Sequence, residues 1–483
     1  MAFIEEILDI YISGRYAGVL TRTRGGRSVA ITYDDHYRAD PGSTPLSISM
    51  PLTVAEHEGS VPENWLDNLL PDNDELRERM RVKFGERSRS PFALLRHVGL
   101  DVAGAAQFVP RGADPAREGR YRPWSEAEIS AEIRSLHADA SAIDPSTERG
   151  LWSLAGANGK FALALRDGKW FEPTGSAPST HVFKVGTHGV TASDLAEFVT
   201  MRAASRMGLR VASVRLAEFD GELAVIVERY DRLDRHGEVL RVHQEDMCQA
   251  MGVSPALKYQ ADGGPSIADV AGILGGYVPR RMLDRVRGDL ARWHGFNMLT
   301  ASTDGHAKNV SVLLSGRNVV TAPSYDLISA ALVFDEHDVR HRLRMAMKFG
   351  GDYGLRGLDG YRIANAAEDL GVDPDWYVSE MRRMGETMGE AFSSAIGDAE
   401  AVAGRTPVLE EMRRRVAMRV DAVRGAATTL SMGASSASAP VASEAERASR
   451  RRPASAGDVV VADYLRGGKV VHGHTRKRAH RGR

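Results

Sequence analysis

The run Thr303-Asp304-Gly305-His306-Ala307-Lys308-Asn309 sets an Asp and an Asn five positions apart, with a loop-forming Gly beside the Asp. A carboxylate and a carboxamide at that spacing serve phosphoryl-transfer loops, the first orienting an attacking hydroxyl and the second binding magnesium. A further carboxylate should follow for the metal, and Asp326 stands seventeen residues beyond Asn309. Between them, residues 310–314 and 319–321 read as two strands joined through Ser315-Gly316-Arg317-Asn318. That hairpin pattern brings Asp326 back beside Asn309. Asp304, Asn309 and Asp326 would then form an oxygen-rich site suited to magnesium and phosphates. Asp and Asn are also ordinary turn formers, so the pair alone leaves both readings open.

Other elements must hold this loop in place. An apolar helix over residues 291–300 leads into it. Upstream, a short strand over 181–185 carries Lys184 and precedes a helix over 193–207 that carries Glu197. A strand Lys paired with a helix Glu is a device for holding the α and β phosphates. Glu197 alone would read as part of a solvated helix face. A buried strand over 223–227 ends in Glu228-Arg229-Tyr230-Asp231, the hinge position of a kinase-like fold, whose backbone would meet an adenine. Gly156 and Gly159 lie between two apolar runs, and such a turn can close over phosphates with its N–H groups. It lacks the Walker spacing, and by itself it reads as a plain hairpin turn.

At 483 residues the chain has room for two or three domains. Its 63 Lys and Arg nearly balance 64 Asp and Glu, so overall charge gives no argument for nucleic acid or membrane binding. Cys248 is the sole cysteine, which excludes an intrachain disulfide and suits a reducing cytoplasm. The acidic start M-A-F-I-E-E-I-L does not resemble a signal peptide, and no apolar run is long enough to span a membrane. A soluble cytoplasmic protein is expected.

Residues 1–110 read as an α+β unit without an evident catalytic cluster, suited to packing or partner binding. It holds a β-meander over 8–35, an extended segment over 45–52, a helix capped by Asn73, and another helix over 91–98. Residues 111–150 form a connection with one helix, and 151–231 a lobe with the Gly-rich turn, Lys184 and hinge. Residues 232–430 read mostly as helices, with Gln244 opening one. Beyond Leu430 lies low-complexity sequence expected to be disordered, then a basic tail. Residues 444–483 hold eleven Lys and Arg against four Asp and Glu, a net of +7. The tail is read as a solvated end or as a nonspecific polyanion-binding arm.

The runs L-D-N-L-L-P-D-N, S-L-A-G-A-N-G-K, V-E-R-Y-D, H-Q-E-D-M-C-Q-A-M-G, S-T-D-G-H-A-K-N and S-Y-D-L-I-S-A, with the Lys184 strand, occur in this order. Together they resemble the HipA family, the toxin kinases of bacterial toxin–antitoxin pairs, from the meander to about residue 430. The resemblance implies an α+β, atypical protein-kinase-like two-lobed fold, with a HipA-type N-terminal subdomain and a mostly helical C-terminal lobe. It implies an ATP- and magnesium-dependent serine/threonine protein kinase. Asp304 would be the catalytic base, and Asn309 and Asp326 the magnesium ligands. ATP would meet Ala155, Gly156, Ala157, Asn158, Gly159, Lys184, Glu228, Tyr230, Gln244, His306 and Lys308. Ser153 matches a serine that the family autophosphorylates to inactivate itself. Asn158-Gly159 departs from the family, which often has Gln followed by Glu or Pro there. The implied partners are a HipB-like helix-turn-helix antitoxin, DNA through that complex, and a protein substrate in translation such as an aminoacyl-tRNA synthetase. The alternatives are an inactive corepressor and a small-molecule kinase that spares Ser153.

Overall fold

The structure is a computed structural model that describes residues 6–22, 28–115, 119–141, 159–186 and 192–433, with four short strands between 459 and 476. Ser153, Ala155, Gly156, Ala157 and Asn158 lie outside the described residues.

The N-terminal unit is a five-stranded antiparallel sheet with helices on one face. Strands Ile7–Ile12, Arg15–Arg22 and Val29–Tyr33 form the expected meander, flanked by Glu56–Glu58 and Ala106–Pro110. Alternate residues Leu8, Ile10 and Ile12 are buried, as the two-residue period of a strand requires. Helices Ser60–Asn68 and Pro91–Val98 add Trp65, Leu66, Phe92 and Leu95 to the same core. Helix Asp74–Lys83 starts where expected, because Asn73 accepts from the Glu75 and Leu76 amides and so satisfies two of the first-turn donors.

The second unit is a six-stranded sheet in the order Val214–Phe219, Glu222–Glu228, His181–Lys184, Lys160–Arg166, Lys169–Thr174, Arg120–Pro123. Helix Glu126–Ala138 packs Ile129, Ile133 and Leu136 with Phe161, Phe183 and Phe219. Helix Ser193–Arg206 buries Leu195, Ala196, Val199 and Ala203, and carries Glu197 inward with them.

The third unit is mostly helical. Arg280–Thr300, Pro374–Ala403 and Pro407–Gly433 share one large core. A three-stranded sheet orders His243–Asp246, Ser311–Ser315 and Asn318–Thr321, and its second and third strands are the expected hairpin.

Three local expectations change. Gln244 lies in strand His243–Asp246 rather than opening a helix, because that segment pairs with Ser311–Ser315; helix Met247–Ala250 follows. Residues 45–52 turn at Ser47 to Met50 instead of staying extended. The Ser47 hydroxyl and the Ile48 amide both reach the buried Glu245 carboxylate, at 2.6 and 2.8 Å. The last helix continues to Gly433, and within the basic tail Val459–Val460 pairs with Thr475–Arg476 and Tyr464–Arg466 with Lys469–Val471.

Candidate active site

Helix Arg280–Thr300 stops at Ala301, whose φ of 57° turns the chain into the catalytic loop. Gly305 follows Asp304 for a packing reason. A Cβ there would stand 2.5 Å from Asn297 Nδ2, closer than side chains tolerate. The Asp304 Oδ1 accepts from the Tyr259 hydroxyl at 2.6 Å. The Asn309 amide donates to the Asp304 carbonyl at 2.9 Å, which leaves its side-chain oxygen as the donor atom for a cation.

The hairpin returns the chain as expected. Tyr325 donates to the Lys308 carbonyl at 2.6 Å, tying the segment that carries Asp326 to the loop that carries Asp304 and Asn309. Ser324 is stitched to the sheet lobe, since Ala212 donates to its carbonyl at 2.9 Å and its own amide donates to Arg210 at 2.7 Å. Asp326 then adopts φ 57°, a left-handed conformation uncommon for a residue other than glycine. Such conformations persist where surrounding contacts fix them, often at functional sites.

Lys184 is the common partner of two carboxylates. It pairs with Glu197, as expected from the strand and helix, and with Asp326 Oδ1 at 2.8 Å. Burial opposes the charge on both ends of the Lys184–Asp326 pair. The opposed charges win, so Lys184 is raised and Asp326 falls well below the usual carboxylate range. Burial pushes Glu197 upward, and Lys184 works against it. Lys160 lies directly across the sheet from Lys184. Burial, reinforced by that neighbouring cation, lowers Lys160 to about 8. His306 is buried and lowered by desolvation, then by Lys258, which keeps the imidazole neutral. Its Nδ1 has no hydrogen-bond partner among the described residues.

At the opposite end, Glu228 closes strand Glu222–Glu228 and Tyr230 follows it. Tyr230 donates to the Gln244 side-chain oxygen, which fixes the ring beside Tyr325 at 5.7 Å between centroids. Arg229 and Asp231 bond to each other through two contacts, at 3.0 and 2.9 Å. Arg229 also donates to Ser179 at 2.8 Å and to the Val102 carbonyl at 2.9 Å. Arg232 donates to Asp101 at 2.8 Å, so the hinge is welded to the N-terminal unit.

Lys184, Glu228, Tyr230, Gln244, Asp304, His306, Lys308, Asn309 and Asp326 all line one cavity of about 210 Å³. Gly159 is buried at the start of the strand that carries Lys160, but it is not among the cavity-lining residues. Sequence reasoning missed Asp72, Lys160, Asp246 and Lys258, which line the cavity, and Tyr259, which touches Asp304. Asp72 brings residues 1–110, read as a unit for packing or partner binding, into the lining of the cavity. Its local signals are the turn Leu70-Pro71-Asp72-Asn73 and its place in the run L-D-N-L-L-P-D-N.

Hard oxygen donors at Asp326 and Asn309 fit magnesium, which takes few protein ligands and completes its shell with phosphate and water. Among the described residues, no group of three or more His, Cys, Asp or Glu side chains is placed to hold a metal ion. No helix among them is long and apolar enough to cross a membrane.

Comparison with known proteins gives a consistent picture. The model of the HipA N-terminal domain matches residues 8–109, and that of the HipA-like C-terminal domain matches 152–395. The chain is 30% identical over 382 residues to the serine/threonine-protein kinase toxin HipA of Shewanella oneidensis, covering 76% of this chain and 85% of that protein. It is also 30% identical to the protein Y4mE of Sinorhizobium fredii, over 84% of this chain and 98% of that one. Among solved structures, it is similar to a chain from the Shewanella oneidensis complex of HipA, HipB and operator DNA. The TM-score is 0.70 at 26% identity, covering 87% of this chain and 99% of that chain.

Proposed function

Because this chain belongs to the HipA family of serine/threonine kinase toxins, we propose that it is an ATP- and magnesium-dependent protein kinase acting on serine or threonine. The observation that carries this reading is the convergence of Asp304, Asn309, Asp326 and Lys184 on one cavity. Asp304 orients the substrate hydroxyl and receives its proton as the oxygen bonds to the terminal phosphorus of ATP and ADP departs. The Tyr259 hydroxyl holds the Asp304 carboxylate in its rotamer. Lys184, braced by Glu197, faces the α and β phosphates. Asn309 and Asp326 hold magnesium, whose charge neutralises the phosphates. Glu228 and Tyr230 meet the adenine, and Gln244 fixes the Tyr230 hydroxyl. His306 and Lys308 complete the nucleotide contacts. Positioning and electrostatic stabilisation provide most of the catalysis in phosphoryl transfer, so a largely preformed set of this kind is what the reaction needs.

The substrate belongs to the translation machinery, with an aminoacyl-tRNA synthetase as the favoured class. The partner is a HipB-like antitoxin, as in the similar Shewanella oneidensis complex, and DNA is met through it. The basic tail adds weak, salt-sensitive affinity for nucleic acid, which a chain shortened to residue 433 loses while keeping its phosphotransfer.

Ser153 is the self-inactivation site. A phosphate there adds roughly −1.5 to −2 charge next to the loop meant to cover the triphosphate, so it disfavours ATP. The test is mass spectrometry of protein incubated with ATP and magnesium, beside an Asp304→Asn control. Phosphate on Ser153 in the wild type alone, with weakened ATP binding, is the expected result. A wild type that binds no nucleotide yet represses with its antitoxin would replace this reading with the corepressor one.

A further inference from the structure

Asp72 reaches the cavity from the N-terminal unit and binds two lysines of the helical lobe. Its Oδ1 accepts from Lys308 Nζ at 2.9 Å, and its Oδ2 from Lys258 Nζ at 2.7 Å. These partners are 236 and 186 residues away in sequence. Both lysines are buried, and all three groups line the same cavity as Asp304 and Asn309. The loop that presents Asp72 is itself anchored. Arg77 donates to the Pro71 carbonyl at 2.5 Å and to the Asp67 carbonyl at 3.1 Å, and it pairs with Asp67 Oδ1 at 2.5 Å. The next residue, Asn73, caps a helix. Both lysines adjoin the loop that carries Asp304 and Asn309. Lys308 directly precedes Asn309, and the Lys258 carbonyl accepts from Ala307 at 3.3 Å. Lys258 also directly precedes Tyr259, the residue on Asp304.

Resting on the kinase reading above, we propose that Asp72 is a positioning residue for phosphoryl transfer, holding Lys258 and Lys308 as a paired cationic arm for the terminal phosphate. Two ammonium groups cannot share a buried site without an anion between them, because their repulsion and desolvation add. Asp72 supplies that anion through both oxygens. It leaves the trio with one net positive charge facing the cavity, enough to attract a phosphate oxygen without trapping it. Through Lys308 the same contact fixes Asn309, and through Lys258 it fixes Tyr259 and so Asp304. The N-terminal unit is thereby part of the phosphotransfer site.

This predicts a split between binding and turnover. In Asp72→Asn the carboxamide keeps the shape but loses the charge. The cavity becomes more positive, and the lysines lose their fixed positions. ATP affinity should stay within about threefold of wild type or tighten, while turnover at saturating ATP should fall at least about tenfold. Asp72→Glu should recover part of that turnover. A packing role alone would lower binding, turnover and thermal midpoint together. Lys258→Met leaves the Asp72–Lys308 pair intact and guards against misfolding of the first variant. It should weaken ATP binding about three- to tenfold.

The experiment measures binding of a fluorescent ATP analogue, steady-state phosphotransfer and thermal unfolding on the full-length chain. Unchanged turnover in Asp72→Asn, or unchanged binding and turnover in Lys258→Met, overturns the inference and leaves the kinase reading standing. Parallel loss of binding, turnover and thermal midpoint in Asp72→Asn also overturns it. A wild type that binds no ATP in the presence of magnesium overturns both.

Discussion

The two ends of the cavity are charged in different ways. At the hinge end, Asp101 and Asp231 meet Arg229 and Arg232 in a closed network, with Gly104 donating to Asp231 at 2.7 Å and Ser179 to Asp101 at 2.6 Å. All four charged side chains are at most 6% exposed. At the catalytic end, one lysine serves both Glu197 and Asp326, whose side chain is 36% exposed to the cavity. The His306 Nδ1 there has no partner among the described residues. Charges at the first end are used up in holding the fold. Charges at the second are arranged so that a ligand can change partners with them.

The largest effect that would separate the two ends is on turnover. Asp304→Asn should lower phosphotransfer by about 10³-fold or more while ATP binding holds, if the residue orients the reacting hydroxyl as proposed. Steady-state kinetics beside nucleotide titration would show it, and wild-type turnover would remove Asp304 from its assigned role.

Next comes stability, with the ends reversed. Asp101→Asn strips a carboxylate from a cluster of buried arginines and should destabilise by about 3 kcal/mol or more. Asp326→Asn keeps the left-handed turn, which Asn tolerates, and leaves Lys184 with Glu197. It should shift the unfolding midpoint far less while abolishing magnesium-dependent turnover. Urea unfolding of both variants is the measurement, and equal destabilisation would erase the contrast.

The smallest effect concerns pH, at the contact between the N-terminal unit and the helical lobe. Burial raises Glu245 to about 7 from its ordinary 4.5, despite hydrogen bonds from Ser47, Ile48 and Trp65. A carboxyl raised by folding binds its proton more tightly in the folded state. Its contribution is therefore complete below about pH 4.5 and is lost as pH rises to about 7. The unfolding midpoint of the wild type should fall across that window, and the fall should be shallower in Glu245→Gln. Parallel profiles would show that Glu245 does not titrate there.

Local pattern made part of this site readable and hid the rest. Asp304, Asn309 and Asp326 lie within one loop and one hairpin, so spacing alone nearly fixes their meeting. Lys184 and Glu197 are thirteen residues apart on adjacent elements and were equally accessible to pattern. For Asp72 and Lys258 no spacing points from one to the other. Only the packing of two distant units joins them. Gln244 was misread because the polar residues His243, Gln244, Glu245 and Asp246 hide the alternation of a strand. Three of the four are buried: His243 and Glu245 find partners in residues 46–48, and Asp246 caps the helix that follows. The bend over residues 45–52 has the same origin. Its prolines suggest extension, but Glu245, almost two hundred residues away, draws Ser47 and Ile48 inward.

The N-terminal unit has a core drawn entirely from residues 8–108, so its interior is complete long before the residues that dock on it exist. A ribosome adding about 5–20 residues per second needs roughly ten to forty seconds more to reach Asp326. Asp101 lacks its cations until Arg229 and Arg232 are made, and Asp72 until Lys258 and Lys308 are made. The unit acts as a docking template laid down first, on which hinge and catalytic loop are mounted in order of synthesis. A chain released early would carry the template without Lys308 or Asp326 and could not transfer phosphate. On the proposed reading as a kinase toxin, that order of assembly would withhold the activity from every unfinished copy.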